Sequence, residues 1–239
     1  MRSIDFDKVQ SFLIPEGEVA KLSIGGVDVW RKRFGDYRDE YQRVEYIASD
    51  GSGQFLDTGY MADNETGFEI TIMCLDYVDR SCGGSSHSGT NPRFYVPYLM
   101  SSARQYTGWN TARATSASIA SNTIITTRLN WLNVRKSEVF NAEGVEYTKA
   151  SASFGTTKLN TQKSNIAIFC NSYGVGSYAS KRKMRLYGGR ISQGVEIVRE
   201  FFPCIRLSDG VAGVYEVHTG EFLENLGAGT FVCGASIGW

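Results

Sequence analysis

Hydrophobic and polar residues alternate along most of the chain in short runs, which turn residues separate. In residues 68–73, FEITIM, every second side chain is apolar, and this predicts a strand with one buried face. Residues 165–170, NIAIFC, are rich in apolar and β-branched residues and predict a more fully buried strand. Further strands are predicted at residues 184–191, 197–202, 213–217 and 222–223. A series of short strands without a long helical pattern favours an all-β antiparallel sandwich over an α/β fold.

Two alternating apolar runs near the N-terminus flank the dipeptide Gly25-Gly26. Glycine takes positive φ without steric cost, so this pattern predicts a β-hairpin. A lone two-stranded unit buries too little apolar surface to be stable, so we expect the hairpin to pack on the main domain or on a partner. Its predicted contact residues are Leu22, Ile24, Val29 and Trp30.

The stretch after the hairpin is dominated by charge and has no clear period, which predicts a linker. We therefore expect three parts: an N-terminal hairpin and attachment segment at residues 1–32, a linker at 33–42 and a jelly-roll domain at 43–239. A sandwich of this size is compatible with a single large domain after the linker.

Lysine and arginine together number 25, as do aspartate and glutamate, so the formal charge is zero. No overall field draws the protein to nucleic acid or to an anionic membrane. The first residues lack the pattern of a signal peptide, and no run approaches the roughly 18 apolar residues of a membrane span. We expect synthesis and folding in the cytoplasm, without membrane insertion. The five cysteines form an odd, widely spaced set and are interpreted as buried thiols.

Few residues are suited to catalysis or to metal binding. The chain contains two histidines, His87 and His218, and His218 is predicted to be a solvated turn residue. The alternating carboxylates of a jelly-roll glycosidase are absent, and Glu143 and Glu146 are interpreted as solvated charge. Distant carboxylates can still converge in three dimensions, so a glycan-degrading enzyme stays an alternative. No run of acidic and amide residues is spaced like a calcium loop, so no metal or cofactor is expected.

The segment most typical of a binding surface combines aromatic and polar residues. Sugars stack on aromatic rings and hydrogen-bond to amide and charged groups, so we predict a carbohydrate site at Arg93, Tyr98, Tyr106, Trp109 and Asn110. Strand alternation buries every second residue, so any one of these rings can belong to the core instead. The basic run at residues 181–185 is interpreted as charge that protects a strand end, with an anionic ligand as the alternative.

Residues 41–60, YQRVEYIASDGSGQFLDTGY, resemble the opening motif of concanavalin A-like (LamG-like) jelly-roll domains in bacteriophage and prophage structural proteins. The runs RLYGGRI, VREFFPC, SDGVAGVYE and GAGTF in the C-terminal half resemble the closing motifs of that family, in the same order. The resemblance spans about residues 41–235 and is looser in the middle. The N-terminal segment is similar to short segments that begin phage fibre and tail proteins. These motifs carry no catalytic or metal residue that transfers to this chain.

The resemblance implies a non-enzymatic virion protein, assembled in the host cytoplasm, with a fibre, tail or capsid-decorating position. Its partners are expected to be other virion proteins through the N-terminal segment and host-surface glycan through the jelly roll. By analogy with phage fibres it implies a closed homo-oligomer such as a trimer. Two alternatives stay open: a purely architectural protein that binds only protein, and a glycan depolymerase.

Overall fold

The computed structural model describes residues 21–24, 27–31, 38–76, 80–86, 93–99, 104–109, 112–147, 152–154, 159, 162, 164–172, 177–179 and 181–238. Within these ranges the chain is almost entirely β-structure, and a short 3-10 helix, Trp131–Asn133, interrupts it. The all-β prediction is confirmed.

The strands, in chain order, are β1 (Lys21–Ile24), β2 (Val27–Arg31), β3 (Tyr41–Arg43), β4 (Ile47–Asp50), β5 (Leu56–Met61), β6 (Thr66–Cys74), β7 (Arg80–Ser81), β8 (Gly83–Ser86), β9 (Arg93–Leu99), β10 (Arg104–Trp109), β11 (Ala112–Ser118), β12 (Ile124–Leu129), β13 (Lys136–Asn141), β14 (Ala152–Ser153), β15 (Asn165–Ile168), β16 (Asn171–Ser172), β17 (Tyr178–Ala179), β18 (Lys183–Gln193), β19 (Glu196–Arg206), β20 (Ala212–Glu216), β21 (Glu221–Glu224) and β22 (Val232–Cys233).

The described strands after the hairpin form two sheets. The large sheet has the order β14-β13-β12-β6-β18-β19-β20-β21, with β3 on β19, β4 on β18 and β22 on β4. The small sheet has the order β11-β10-β9-β8-β15-β5, with β7 on β9, β16 on β8 and β17 on β16. Pairing is antiparallel except between β16 and β8, where Ser172 lies opposite Ser85 in a parallel arrangement.

The two sheets pack face to face around one main hydrophobic core. Strand β6 shows the reason: Phe68, Ile70 and Ile72 are fully buried, while Thr71 and Met73 are half-buried on the other face. Phe68 meets Phe94 of the small sheet, with ring centroids 6.4 Å apart. The outer face of the large sheet is therefore the side on which β6 places Glu69 and Thr71.

The predicted N-terminal hairpin is present as the antiparallel pair β1 and β2, in which Leu22 lies opposite Trp30 and Ile24 opposite Val27. Val29 lies on β2 beside an irregularity in the register. Strand β3 begins at Tyr41, so the last two residues of the predicted linker belong to the large sheet, because they pair with Ile205 and Arg206. The attachment role and the three-part division stay predictions.

Most C-terminal strands are longer than their sequence patterns predict. Strands β18 and β19 each span eleven residues, and residues 192–193, which lie between two of the predicted strands, belong to β18. Strand β15 is shorter and ends at Ile168, because Phe169 adopts a left-handed backbone with φ of 71°.

Candidate functional site

The predicted aromatic site falls on two neighbouring strands of the small sheet. Arg93 and Tyr98 lie on β9, and Tyr106 and Trp109 lie on β10. Their register places Tyr106 opposite Tyr98, whereas Trp109 lies opposite Phe94. Asn110 lies outside the described residues. The backbone thus places Tyr98 beside Tyr106, and Arg93 near Trp109 toward the other end of the same strand pair. The role of Arg93, Tyr98 and Tyr106 in sugar binding stays a prediction.

The prediction that Trp109 offers an exposed stacking face is wrong. Its side chain is 0% exposed. The indole packs at 6.0 Å from the ring of Phe94 and stacks at 5.7 Å on that of Phe154, measured between ring centroids. Trp109 is therefore a core residue, because strand alternation directs it between the two sheets.

The outer face of the large sheet carries a row of alternating charges across five adjacent strands. We call this row the charge ladder; its residues, in spatial order, are Glu138, Arg128, Glu69, Arg190 and Glu200. Each lies directly opposite the next on the neighbouring strand. Opposite charges at such cross-strand positions stabilise a sheet, so the ladder also fixes the register of the strands that carry it.

Glu69 is the centre of the ladder and is held by two arginines. The Arg128 Nε donates to Glu69 Oε2 at 2.5 Å, and the Arg190 Nε donates to Oε1 at 2.7 Å. The Arg190 Nη2 donates to the same Oε1. The carboxylate is only 7% exposed, whereas the two arginine side chains are about one-third exposed, at 30% and 36%. Both carboxylate oxygens are thus occupied, and the arginines keep part of their surface open to solvent.

Arg128 and Arg190 each also contact an aromatic ring. The Arg190 Cζ lies 5.2 Å from the ring centroid of Trp131, and the Arg128 Cζ lies 4.7 Å from that of Phe140. These distances are in the range of cation–π contacts, which restrain the position of a guanidinium group. Carboxylate and ring contacts therefore both restrain the guanidinium groups of the ladder.

A groove with a volume of about 400 Å³ lies beside one end of the ladder, where Glu69, Arg190 and Glu200 line it. This volume is within the range of small-molecule and saccharide sites. Strands β3, β6, β18 and β19 line the groove, together with one residue before β3 and one residue after β20. The lining residues are Arg38, Arg43, Glu69, Thr71, Tyr187, Gly188, Gly189, Arg190, Glu200, Phe201, Phe202 and Val217. We call it the outer groove.

Two half-buried aromatic side chains lie in the outer groove beside these charges. Phe202 has the Arg43 guanidinium 5.7 Å from its ring centroid and continues into a small cluster with Tyr215, whose ring is 5.4 Å away. Tyr187 packs 5.6 Å from the ring of Tyr46. Burial raises the pKa of the Tyr187 phenol, so its hydroxyl remains protonated at neutral pH. Rings and polar groups therefore alternate within one concave surface.

A β-bulge explains how Tyr187 and Arg190 reach the same face. The register of β18 against β6 slips between Leu186, opposite Ile72, and Gly188, opposite Thr71. The extra residue shifts the alternation, so Leu186 and Ile191 both remain buried although they are five positions apart. Strict alternation along β18 cannot predict this arrangement.

The sequence prediction missed the outer groove because its residues come from distant parts of the chain. The one local signal was the polar face of the strand at residues 68–73, which carries Glu69 and Thr71. Pairing Glu69 with Arg128 and Arg190 requires the sheet register. Among the described residues that line this groove, none is one of the predicted carbohydrate residues.

Glu216, just beyond the groove, has a structural role. It is 1% exposed, and its Oε1 accepts hydrogen bonds from the backbone N–H groups of Glu200 and His218, both at 3.0 Å. The Thr219 N–H donates to Oε2 at 2.6 Å. His218 itself is exposed, as predicted for a turn residue.

No helix within the described residues has the length and apolarity needed to cross a membrane. No group of three or more histidine, cysteine, aspartate or glutamate side chains within them is arranged to hold a metal ion.

No family model matches this chain, and no curated protein matches it in sequence. Among solved structures, the chain is similar to a candidate carbohydrate-binding protein of Bacteroides ovatus, with a TM-score of 0.53 and 10% sequence identity. The match covers 83% of this chain and 62% of that protein, so the chain spans less than two thirds of the length of the protein it resembles. At this identity the likeness shows the fold, and the chain shares an all-β sandwich with that protein.

Proposed function

We propose that the protein is a non-enzymatic carbohydrate-binding module whose ligand lies in the outer groove. The observation that carries this proposal is the placement of fixed guanidinium and carboxylate groups beside two half-buried aromatic rings in one groove. Sugar rings present apolar C–H faces to aromatic side chains and hydroxyls to charged and amide groups, so this mixture suits a saccharide.

Each component of the groove has a matching role in this proposal. Tyr187 and Phe202 supply stacking faces, and the phenol of Tyr187 can donate a hydrogen bond. Arg43 and Arg190 donate to hydroxyl or carboxyl oxygens of the sugar, while Glu200 accepts from hydroxyl groups. Because Arg190 is held by both Glu69 and Trp131, little side-chain entropy is lost when it binds a ligand.

The hydrogen bonds of the carboxylates in the groove favour carbohydrate binding over glycoside hydrolysis. A glycosidase needs two carboxyl groups that flank the scissile bond, one of which reacts as an acid and one as a base or nucleophile. Among the described residues that line the groove, the carboxylates are Glu69 and Glu200. Both oxygens of Glu69 are bound by arginine, so this group is not free to attack or to transfer a proton.

The biological setting in our proposal is a bacteriophage particle. It is supported by the resemblance of residues 41–60 and of the four C-terminal motifs to phage structural proteins. In this setting the N-terminal hairpin attaches the chain to other virion proteins, and the outer groove contacts host-surface glycan. A purely architectural role is the alternative, in which the same face contacts protein.

A glycan array probed with the labelled full chain tests the proposal. We expect binding to a defined group of glycans and no release of reducing sugar from the same glycans in solution. An array without reproducible binding would support the architectural role. Release of reducing sugar would instead identify a depolymerase.

A further inference from the structure

Two buried cysteines from opposite sheets of the sandwich meet in the core. Cys74 ends β6 of the large sheet, and Cys82 lies between β7 and β8 of the small sheet. Their Sγ atoms are 3.3 Å apart, and the residues are 4% and 0% exposed. A disulfide has an S–S distance of about 2.05 Å, so the sulfurs need to approach by only roughly 1.2 Å.

A buried arginine lies against this pair. Arg182 belongs to the basic run that the sequence placed at a strand end, but it is 0% exposed, which corrects that interpretation for this residue. Its Nη2 donates to the backbone carbonyl of Asp76 at 2.6 Å, and its Nε lies 3.3 Å from Asp76 Oδ1. A buried positive charge is stable only beside negative charge.

The Cys74–Cys82 pair can supply part of the negative charge that stabilises the buried Arg182. Burial raises the pKa of Cys82, but the hydrogen bond with Cys74 and the positive charge of Arg182 lower it by more than burial raises it. The pKa of Cys82 is therefore below its ordinary value. The same hydrogen bond and burial raise the pKa of Cys74. Cys82 is thus the nucleophilic sulfur of the pair and Cys74 retains its proton.

We propose that Cys74 and Cys82 are a modification site that forms an intramolecular disulfide when the protein meets hydrogen peroxide. Cys82 releases its proton, and its thiolate attacks the peroxide: an S–O bond forms and the O–O bond breaks, which gives a sulfenic acid and hydroxide. The hydroxide takes up the proton that Cys82 released and becomes the first water. The Cys74 sulfur then attacks Cys82 Sγ, the S–S bond forms and the S–O bond breaks. The hydroxyl leaves as water with the Cys74 proton. Two thiols are oxidised, and one peroxide is reduced to two waters.

The surroundings favour this reaction at the pair over Cys170 and Cys204. Asp76 keeps 32% of its side chain exposed, so the cluster lies directly beneath the surface. Burial raises the pKa of Cys170 and of Cys204 to about 12, so these thiols stay protonated and react slowly. The new bond links the two sheets covalently, so it also stabilises the sandwich.

The test is to treat the reduced full chain with hydrogen peroxide, alkylate it with iodoacetamide in denaturant and map its peptides by mass spectrometry. We expect residues 74 and 82 in one cross-linked species, lighter by about 2 Da than the two free thiols, with Cys170 and Cys204 alkylated. The oxidised chain should also melt several degrees higher, and a reductant should reverse the shift.

Cys82→Ser and Cys170→Ser serve as matched variants, since both remove a buried thiol. Only Cys82→Ser should abolish the cross-link and the rise in melting temperature. Alkylation of both residues 74 and 82 after oxidation, or conversion of Cys82 alone to a sulfinic acid, would overturn the proposal. Peptide mapping of the wild type decides this even if Cys82→Ser fails to fold.

Discussion

Trp109 shows how a single residue joins the two halves of the core. Its indole contacts Phe94 and Phe154, and the Arg135 Cζ lies 5.8 Å from its ring centroid. Replacing it by alanine removes these contacts and leaves a cavity in a closely packed interior.

We therefore predict that Trp109→Ala lowers the free energy of unfolding by about 3–5 kcal/mol in a urea titration. Trp109→Phe should lower it less, because a ring still fills most of the space. A Trp109→Ala protein as stable as the wild type would place this side chain outside the core.

Asp63 fixes the turn before β6 through hydrogen bonds. Its Oδ1 accepts from the Glu65 N–H and the Thr66 hydroxyl, both at 2.9 Å, and its Oδ2 accepts from Gln193 Nε2 at 3.0 Å. Burial raises the pKa of Asp63, but these hydrogen bonds lower it by more, so the folded-state pKa is below the ordinary value.

A lowered folded-state pKa stabilises the folded state above the unfolded pKa, and this stabilisation is lost as the pH falls through the folded value. We predict that wild type exceeds Asp63→Asn in stability near neutral pH and that the gap narrows below about pH 4. Urea midpoints of both proteins across this range measure the gap. A stability difference between the two proteins that does not change with pH would show that the charge of Asp63 does not contribute to stability.

At the scale of elements, the bulge in β18 decides what the outer groove contains. Gly188 has φ of 156°, and a Cβ built on it would lie 3.1 Å from the backbone oxygen of Phe201. Glycine at this position allows β18 to bulge while it remains paired with β6 and β19.

We predict that Gly188→Val lowers the free energy of unfolding by about 1–3 kcal/mol, because the side chain meets a backbone atom and a disfavoured φ. Gly194→Val is the matched control. Gly194 also has a positive φ, 60°, but no atom lies within 4 Å of the position of an added Cβ, so this variant tests the effect of φ without a close contact. An effect of Gly188→Val no larger than that of the control would rule out the close contact as the cause.

The strands that alternate strictly were predictable from the sequence. Strand β6 was found because Phe68, Ile70 and Ile72 follow a period of two. The sequence pattern could not place Tyr187 and Arg190 on the same face of β18, because strict alternation puts residues three positions apart on opposite faces. The bulge that changes this leaves no hydrophobic pattern in the local sequence. Trp109 and Tyr106 look equally suited to stacking in the sequence, and only the packing of two sheets makes Trp109 a core residue.

At the scale of the whole molecule, the sandwich begins at β3. Tyr41 pairs with Arg206 in the large sheet and stacks on Phe222, with ring centroids 5.3 Å apart. The hairpin strands β1 and β2 pair with each other in a separate two-stranded sheet.

We therefore predict that a chain shortened to begin at Asp39 folds by itself. Its far-ultraviolet dichroism should show β-structure, and it should unfold cooperatively near the wild-type midpoint. A shortened chain that begins after Arg43 is the control and should be less stable, because it lacks β3. Failure of the Asp39 chain to fold would show that the N-terminal segment belongs to the sandwich.

The outer groove is tested most directly by calorimetric titration of a glycan identified on the array. We predict that Tyr187→Ala weakens binding by about 10- to 100-fold, as expected for the loss of a central aromatic anchor, without a large loss of stability. Tyr60→Ala, a half-buried tyrosine outside the groove, should bind like the wild type. Unchanged affinity of Tyr187→Ala, together with loss of binding in Tyr106→Ala, would contradict the outer groove and place the site on strands β9 and β10.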